Sequence, residues 1–152
     1  MTRNPPWDRL KEVASLRRDA QAKRLAEAVG ARDEAQRRLD MLVGYRAEYE
    51  SRLAHAGAQG IDREALRNYQ AFLAQLGRAI QQQADLVSGA ERAVEGAKAQ
   101  WQSERVRVES FQTLDERHLS TVARHEARRA QKQTDEWAAR AQPGTVPHDN
   151  ER

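Results

Sequence analysis

The side chains able to do acid–base or metal chemistry are scattered along this chain. Its histidines are His55, His118, His125 and His148. Only His118 and His125 share a helical face, one heptad apart, too far for a compact metal site without other ligands. There is no Gly-rich phosphate loop or nucleophile elbow, and the absence of cysteine removes thiol nucleophiles, thiolate metal sites and disulfides. Carboxylates three or four residues from basic side chains read as helical ion pairs rather than catalytic dyads. The expectation is therefore no catalytic residue, no metal and no cofactor. What the residue types do suit is protein recognition. Arg124, Arg128, Arg129 and Lys132 recur over two helical turns and are followed by Asp135 and Glu136, a set that fits an acidic partner or a solvated face with local ion pairs. A second group is apolar and aromatic: Leu42, Tyr45, Tyr49, Phe72, Leu76 and Ala79, with Gln83 beside them.

The elements that must position these residues follow from composition. Of 152 residues 39% are hydrophobic, but 26 are alanine, leaving little bulky material for a globular core. Charged residues reach 32%, aromatics only 5%, and the stretch from Trp7 to Gln142 contains no proline. That is the composition of long helices. Basic and acidic residues number 26 and 23, a net charge of +3 that does not imply nucleic-acid binding. The longest apolar run, Ala71 to Ala74, is far short of the roughly 20 residues that span a bilayer. A soluble, cytoplasmic protein is expected.

Asn4-Pro5-Pro6 reads as a helix start, with Asp8 near the positive end of the helix. A weakened heptad stripe follows through Leu25, Ala28, Ala35, Leu39, Leu42, Tyr49 and Leu53, interrupted at a positions by Arg32 and Arg46. Gly57 and Gly60 mark a turn, and Asp62 can cap the next helix. From there the a positions run Leu66, Leu73, Ile80, Val87, Val94, Trp101 and Val108 at a strict seven-residue interval. A seam sustained over so many heptads indicates a coiled coil. It fades after about Phe111, where the a and d positions become Asp115, His118, His125 and Arg129.

The fold expected is all-α: a long antiparallel two-helix coiled-coil hairpin over residues 1–142. Helix 1 spans about 5–55, the turn about 56–61 and helix 2 about 62–141, with a polar tail over 143–152. At 1.5 Å per residue the helices are about 75 and 120 Å long, so the second outruns the first. Antiparallel pairing across this turn makes facing residue numbers sum to roughly 118, and the seam of helix 2 then stops where helix 1 runs out. A parallel homodimer through helix 2 satisfies the same periodicity and stays open.

In this frame Leu42, Tyr49 and Leu76 are d residues, whereas Tyr45 and Phe72 are g residues on the edge of the seam. Both aromatics should remain partly exposed and meet on neighbouring strips, a combination typical of protein-binding hot spots. Trp101 lies opposite the Arg17-Arg18 region, where a cation–π contact is geometrically open, and reads mainly as core.

The sequence resembles the flagellar export protein FliJ family. The match rests on LVGYRAEYESRL at 42–53, LRNYQAFLAQLGRAI at 66–80 and RRAQKQTDEWAAR at 128–140, in that family's order and spacing. The resemblance implies a non-enzymatic component of the flagellar type III export apparatus, built like a rotary ATPase stalk. It implies as partners a hexameric FliI-type export ATPase, the cytoplasmic domain of the export gate protein FlhA, export chaperones and the ATPase regulator FliH. Position by position, the gate surface would be Leu42, Tyr45, Tyr49, Phe72, Leu76 and Ala79; Gln83 and Arg38 flank it but depart from the family's usual residues. The ATPase end would be residues 7–24 and 115–140, with Arg124, Arg128, Arg129, Lys132, Asp135 and Glu136. The stalk of a virulence secretion system and a structural coiled-coil dimer are the alternatives. The hairpin is expected to be monomeric when dilute, cytoplasmic and peripheral to the inner-membrane export machinery.

Overall fold

A computed structural model describes residues 4–142 and residue 144. Two helices make up the fold, α1 over Asp8–Gln59 and α2 over Arg63–Ala141, with no strand among the described residues. Two units are described, one running to Val108 and one beginning at Glu109. The expected polar tail, Gly144 apart, and His148 lie outside the described residues.

In the first unit α1 packs antiparallel on α2. The burial pattern of α2 follows the heptad: Leu76, Val87, Val94 and Val108 are buried, and every other a and d residue from Leu66 is half-buried. The register is read directly from one bond. The Gln83 amide donates to the Ala35 carbonyl oxygen at 3.0 Å, a pair whose numbers sum to 118. A two-helix hairpin has no third layer, so its core is a single line of side chains.

On α1 the seam positions Arg18, Arg32 and Arg46 stay half-buried yet reach acids on their own helix, Asp19 at 3.1 Å, Asp33 at 3.0 Å and Glu50 at 3.9 Å. Each aliphatic stem covers the seam while its guanidinium turns outward, which is how cations interrupt the stripe without breaking it.

The helix ends differ from expectation. α1 begins at Asp8, not near Pro5, because a residue preceding proline is pushed out of the α region. The Asp8 amide instead closes a turn on the Pro5 carbonyl at 3.1 Å, and the N-cap Trp7 makes no side-chain cap bond. At the other end α1 runs through Gly57 to Gln59 and stops at Gly60, whose φ of 91° is open to glycine and strained for other residues. Asp62 does cap α2, its carboxylate accepting from the Ala65 amide at 2.7 Å.

The second unit is the remaining length of α2. Half-burial continues here at heptad spacing through Asp115, His118 and Val122, past the expected fading at Phe111; Asp115 and His118 each have a polar or electrostatic partner. From Ala123 to Gln142 every residue is exposed.

Candidate protein-binding surfaces

The turn-proximal part of the hairpin carries the aromatic patch. Tyr45 and Phe72 are exposed, at 48% and 39%, as edge positions should be. Their pairing differs from expectation. Phe72 packs on the half-buried d-position Tyr49, ring centroids 4.3 Å apart and tilted by 37°, while the g-position Tyr45 stays exposed. The Arg52 guanidinium lies 5.2 Å from the centre of the Tyr49 ring and is held by Glu48 at 2.8 Å. Tyr49, Arg52 and Phe72 line, with Ala65, Asn68 and Tyr69, an open groove of about 480 Å³.

Other residues of the predicted patch face inward. Leu76 is buried, and the Gln83 amide is engaged with Ala35 across the hairpin, so both support the surface from beneath. Leu42 and Ala79 are half-buried. The exposed part of the patch is thus Tyr45 and Phe72, with the half-buried Tyr49 behind them. Arg52 and Asn68 belong to this groove and were missed by sequence reasoning; their signal was a g position and a c position beside an aromatic d residue.

The second surface lies on the second unit. Arg124, Arg128, Arg129 and Lys132 are exposed, and among the described residues none of them makes an ion pair. Arg124 instead donates to the Ser120 hydroxyl at 3.4 Å, and Asp135 accepts from Gln131 at 3.0 Å. Spacing accounts for Arg124 and Arg128, which have no carboxylate three or four residues away, whereas Arg129 has Glu126 and Lys132 has Asp135 and Glu136 at such spacing and pairs with none of them among the described residues. Thr121, Arg124, His125 and Arg128 border a shallow groove of about 190 Å³. Trp137, at 72% exposure, adds an apolar element, and Glu136 is exposed beside it.

Trp101 is half-buried, but its cation is Arg105 from one turn along α2, 5.5 Å from the ring, rather than Arg17 or Arg18. The same-helix neighbour is already in place and needs no interhelix reach. Among the described residues no group of three or more His, Asp or Glu could hold a metal ion, and no helix is long and apolar enough to cross a membrane.

The fold and its exposed chemistry define a class: an all-α antiparallel hairpin that offers aromatic and cationic side chains on open surfaces. A family model described as flagellar FliJ protein matches residues 4–142. A flagellar FliJ protein of Salmonella typhi is 31% identical over 93% of this chain and 96% of its own length. Another, of Escherichia coli strain K12, is 32% identical over 87% of this chain and 90% of its own. The chain belongs to the flagellar FliJ family. Its fold is also similar to the solved structure of a YscO homologue from Chlamydia trachomatis, with a TM-score of 0.62, 18% identity, and 91% and 94% of the two chains covered.

Proposed function

We propose that this chain is a non-catalytic adaptor of flagellar type III protein export, joining the export ATPase to the export gate. The observation that carries the reading is the division of chemistry between the units of a FliJ-family chain: an open aromatic groove around Tyr49 and Phe72 in one, and in the other the exposed cations Arg124, Arg128, Arg129 and Lys132, which make no ion pair among the described residues.

The groove suits the cytoplasmic domain of the gate protein FlhA. Two rigid aromatic side chains supply contact area at small entropic cost, and nothing else in a two-helix hairpin covers them. The cationic helix, with Asp135, Glu136 and Trp137, suits the interior of a hexameric FliI-type ring. Unpaired arginines there gain bidentate partners on binding without first breaking an internal ion pair. Within the first unit α1, at 52 residues, is about 78 Å long. Export chaperones and the ATPase regulator FliH are further partners of the same apparatus. The chain acts in the cytoplasm, peripheral to the inner membrane.

The test is ATP hydrolysis by the cognate export ATPase, titrated with the full chain and with a chain ending before Arg124. Stimulation by the former and its loss with the latter is the expected result. Equal stimulation by both would refute the assignment of the cationic helix.

A further inference from the structure

The seam of the first unit is not equally filled along its length. In the register of the Gln83–Ala35 bond, the layers between Leu39 and Leu25 of α1 set Ala35 against Gln83, Arg32 against Val87 and Ala28 against Ala90. Of these side chains Val87 alone is a bulky aliphatic one, and Arg32 sends its guanidinium out to Asp33 at 3.0 Å. In the next layers towards the turn, by contrast, Leu39 stands against Ile80 and Leu42 against the buried Leu76.

Two further features fall at the height of the thin layers. The numbers of Gly30 in α1 and Gly89 in α2 sum to 119, so both helices carry their weakest non-proline helix former at one level. An added Cβ at either position meets nothing within 4 Å, so close packing does not require these glycines. An open groove of about 500 Å³, bordered by Arg32, Gln36, Glu91 and Val94 among others, also reaches the seam here, since Val94 is one of its buried residues. Elsewhere in the unit the features separate. Gln21 and Ala97, nearer the chain start, make an equally slight layer, but no glycine of α1 shares their height. Gly44 and Gly77 stand beside the well-filled layer of Leu42 and Leu76.

We infer that the hairpin has a soft joint at this height: residues 28–36 and 83–91 open and bend locally while the seam on the turn side stays closed. The free energy of a local opening follows the apolar surface buried and the helix strength of the segment, and both are low where thin layers and glycines coincide. Bends in long helices settle at Gly/Ser pairs or where water enters the hydrogen-bond ladder. Ser88-Gly89 is such a pair, and the groove brings solvent to the seam beside it. The joint gives the aromatic groove near the turn a freedom of direction relative to the chain-start half of the same unit. It is a property of the hairpin by itself, independent of the partners proposed above.

Hydrogen–deuterium exchange of the full-length chain, read by mass spectrometry as protection factors, tests this. In the wild type, 28–36 and 83–91 should be at least about tenfold less protected than 37–45 and 72–80. Gly30→Ala with Gly89→Ala restores helix strength in both helices and should raise protection in the two joint segments at least about tenfold. Arg32→Leu, which fills the seam without touching a glycine, should raise it in the same segments. The control is Gly44→Ala with Gly77→Ala, which adds the same two methyl groups on the turn side. It should raise the urea midpoint as much, yet leave protection at 28–36 and 83–91 within about twofold of wild type, because a local opening does not draw on the turn side. Far-UV circular dichroism verifies that each variant is folded. Uniform protection through 28–45 and 72–91 would overturn the joint. So would an equal rise at 28–36 and 83–91 with both glycine pairs, which marks global opening, or no rise there with either Gly30→Ala with Gly89→Ala or Arg32→Leu.

Discussion

Phe72 contributes to both the fold and the exposed surface, and the two contributions can be separated. About three-fifths of the residue is covered, so of the roughly 1.5–3 kcal/mol for burying a whole Phe side chain, about 1–2 applies here. The ring contact with Tyr49 adds about 0.5–1.5 kcal/mol, and alanine returns about 0.5 kcal/mol of helix propensity. Phe72→Ala should therefore destabilise the hairpin by about 1–3 kcal/mol. Tyr45 is about half exposed and has no ring partner, so Tyr45→Ala should cost less than about 1 kcal/mol. The decisive assay is urea unfolding of the wild type, Tyr49→Ala, Phe72→Ala and the double variant, monitored by circular dichroism at constant m-value. A coupling of about 0.5–1.5 kcal/mol between Tyr49 and Phe72 is expected, and near zero in a second cycle made with Tyr45→Ala and Tyr45→Ala with Phe72→Ala. No coupling in the first cycle, or equal coupling in both, would refute the packing described. A practical consequence follows for binding work: Phe72→Leu, which keeps most of the buried volume, is the control for any loss seen with Phe72→Ala.

Asp62→Ala removes the carboxylate that accepts from the Ala65 amide and should cost about 0.5–2 kcal/mol in thermal or urea unfolding, with Asp62→Asn closer to wild type. Gly30 and Gly44 sit at outermost f positions where an added Cβ meets nothing within 4 Å, so Gly30→Ala and Gly44→Ala should each raise stability by about 0.8–1 kcal/mol in the same measurement. Gln83→Ala gives up the amide bond to Ala35 and should cost about 0.5–1.5 kcal/mol, whereas Gln83→Leu should recover that loss by placing an apolar side chain in the seam.

Long-range order in this protein is periodic, and periodicity is what a sequence displays best. The strict spacing from Leu66 to Val108 located the buried line of α2, and the glycines with Asp62 located the reversal closely enough to set the register that Gln83 and Ala35 confirm. What pattern could not supply was local and rotameric. Whether Tyr45 or Tyr49 meets Phe72 depends on which side chain crosses the seam, and both choices obey the same heptad. Arg32 and Arg46 looked like defects because a one-letter code does not say where a long side chain sends its charge. The start at Asp8 turned on the backbone restriction imposed by consecutive prolines, which outweighed an otherwise suitable Asn cap. The cations of the second unit were visible by type; that none of them makes an ion pair among the described residues required the side-chain geometry, since Lys132 has Asp135 and Glu136 at pairing distance in sequence.

The central claim, that the two units serve two different partners, is tested most directly by measuring both affinities on two variants: Tyr45→Ala with Phe72→Ala, and Arg124→Glu with Arg128→Glu. The account predicts that the first loses the gate's cytoplasmic domain and keeps the export ATPase, and that the second does the reverse, both chains retaining their helicity. Loss of both partners by either folded variant, or of neither by both, would contradict it.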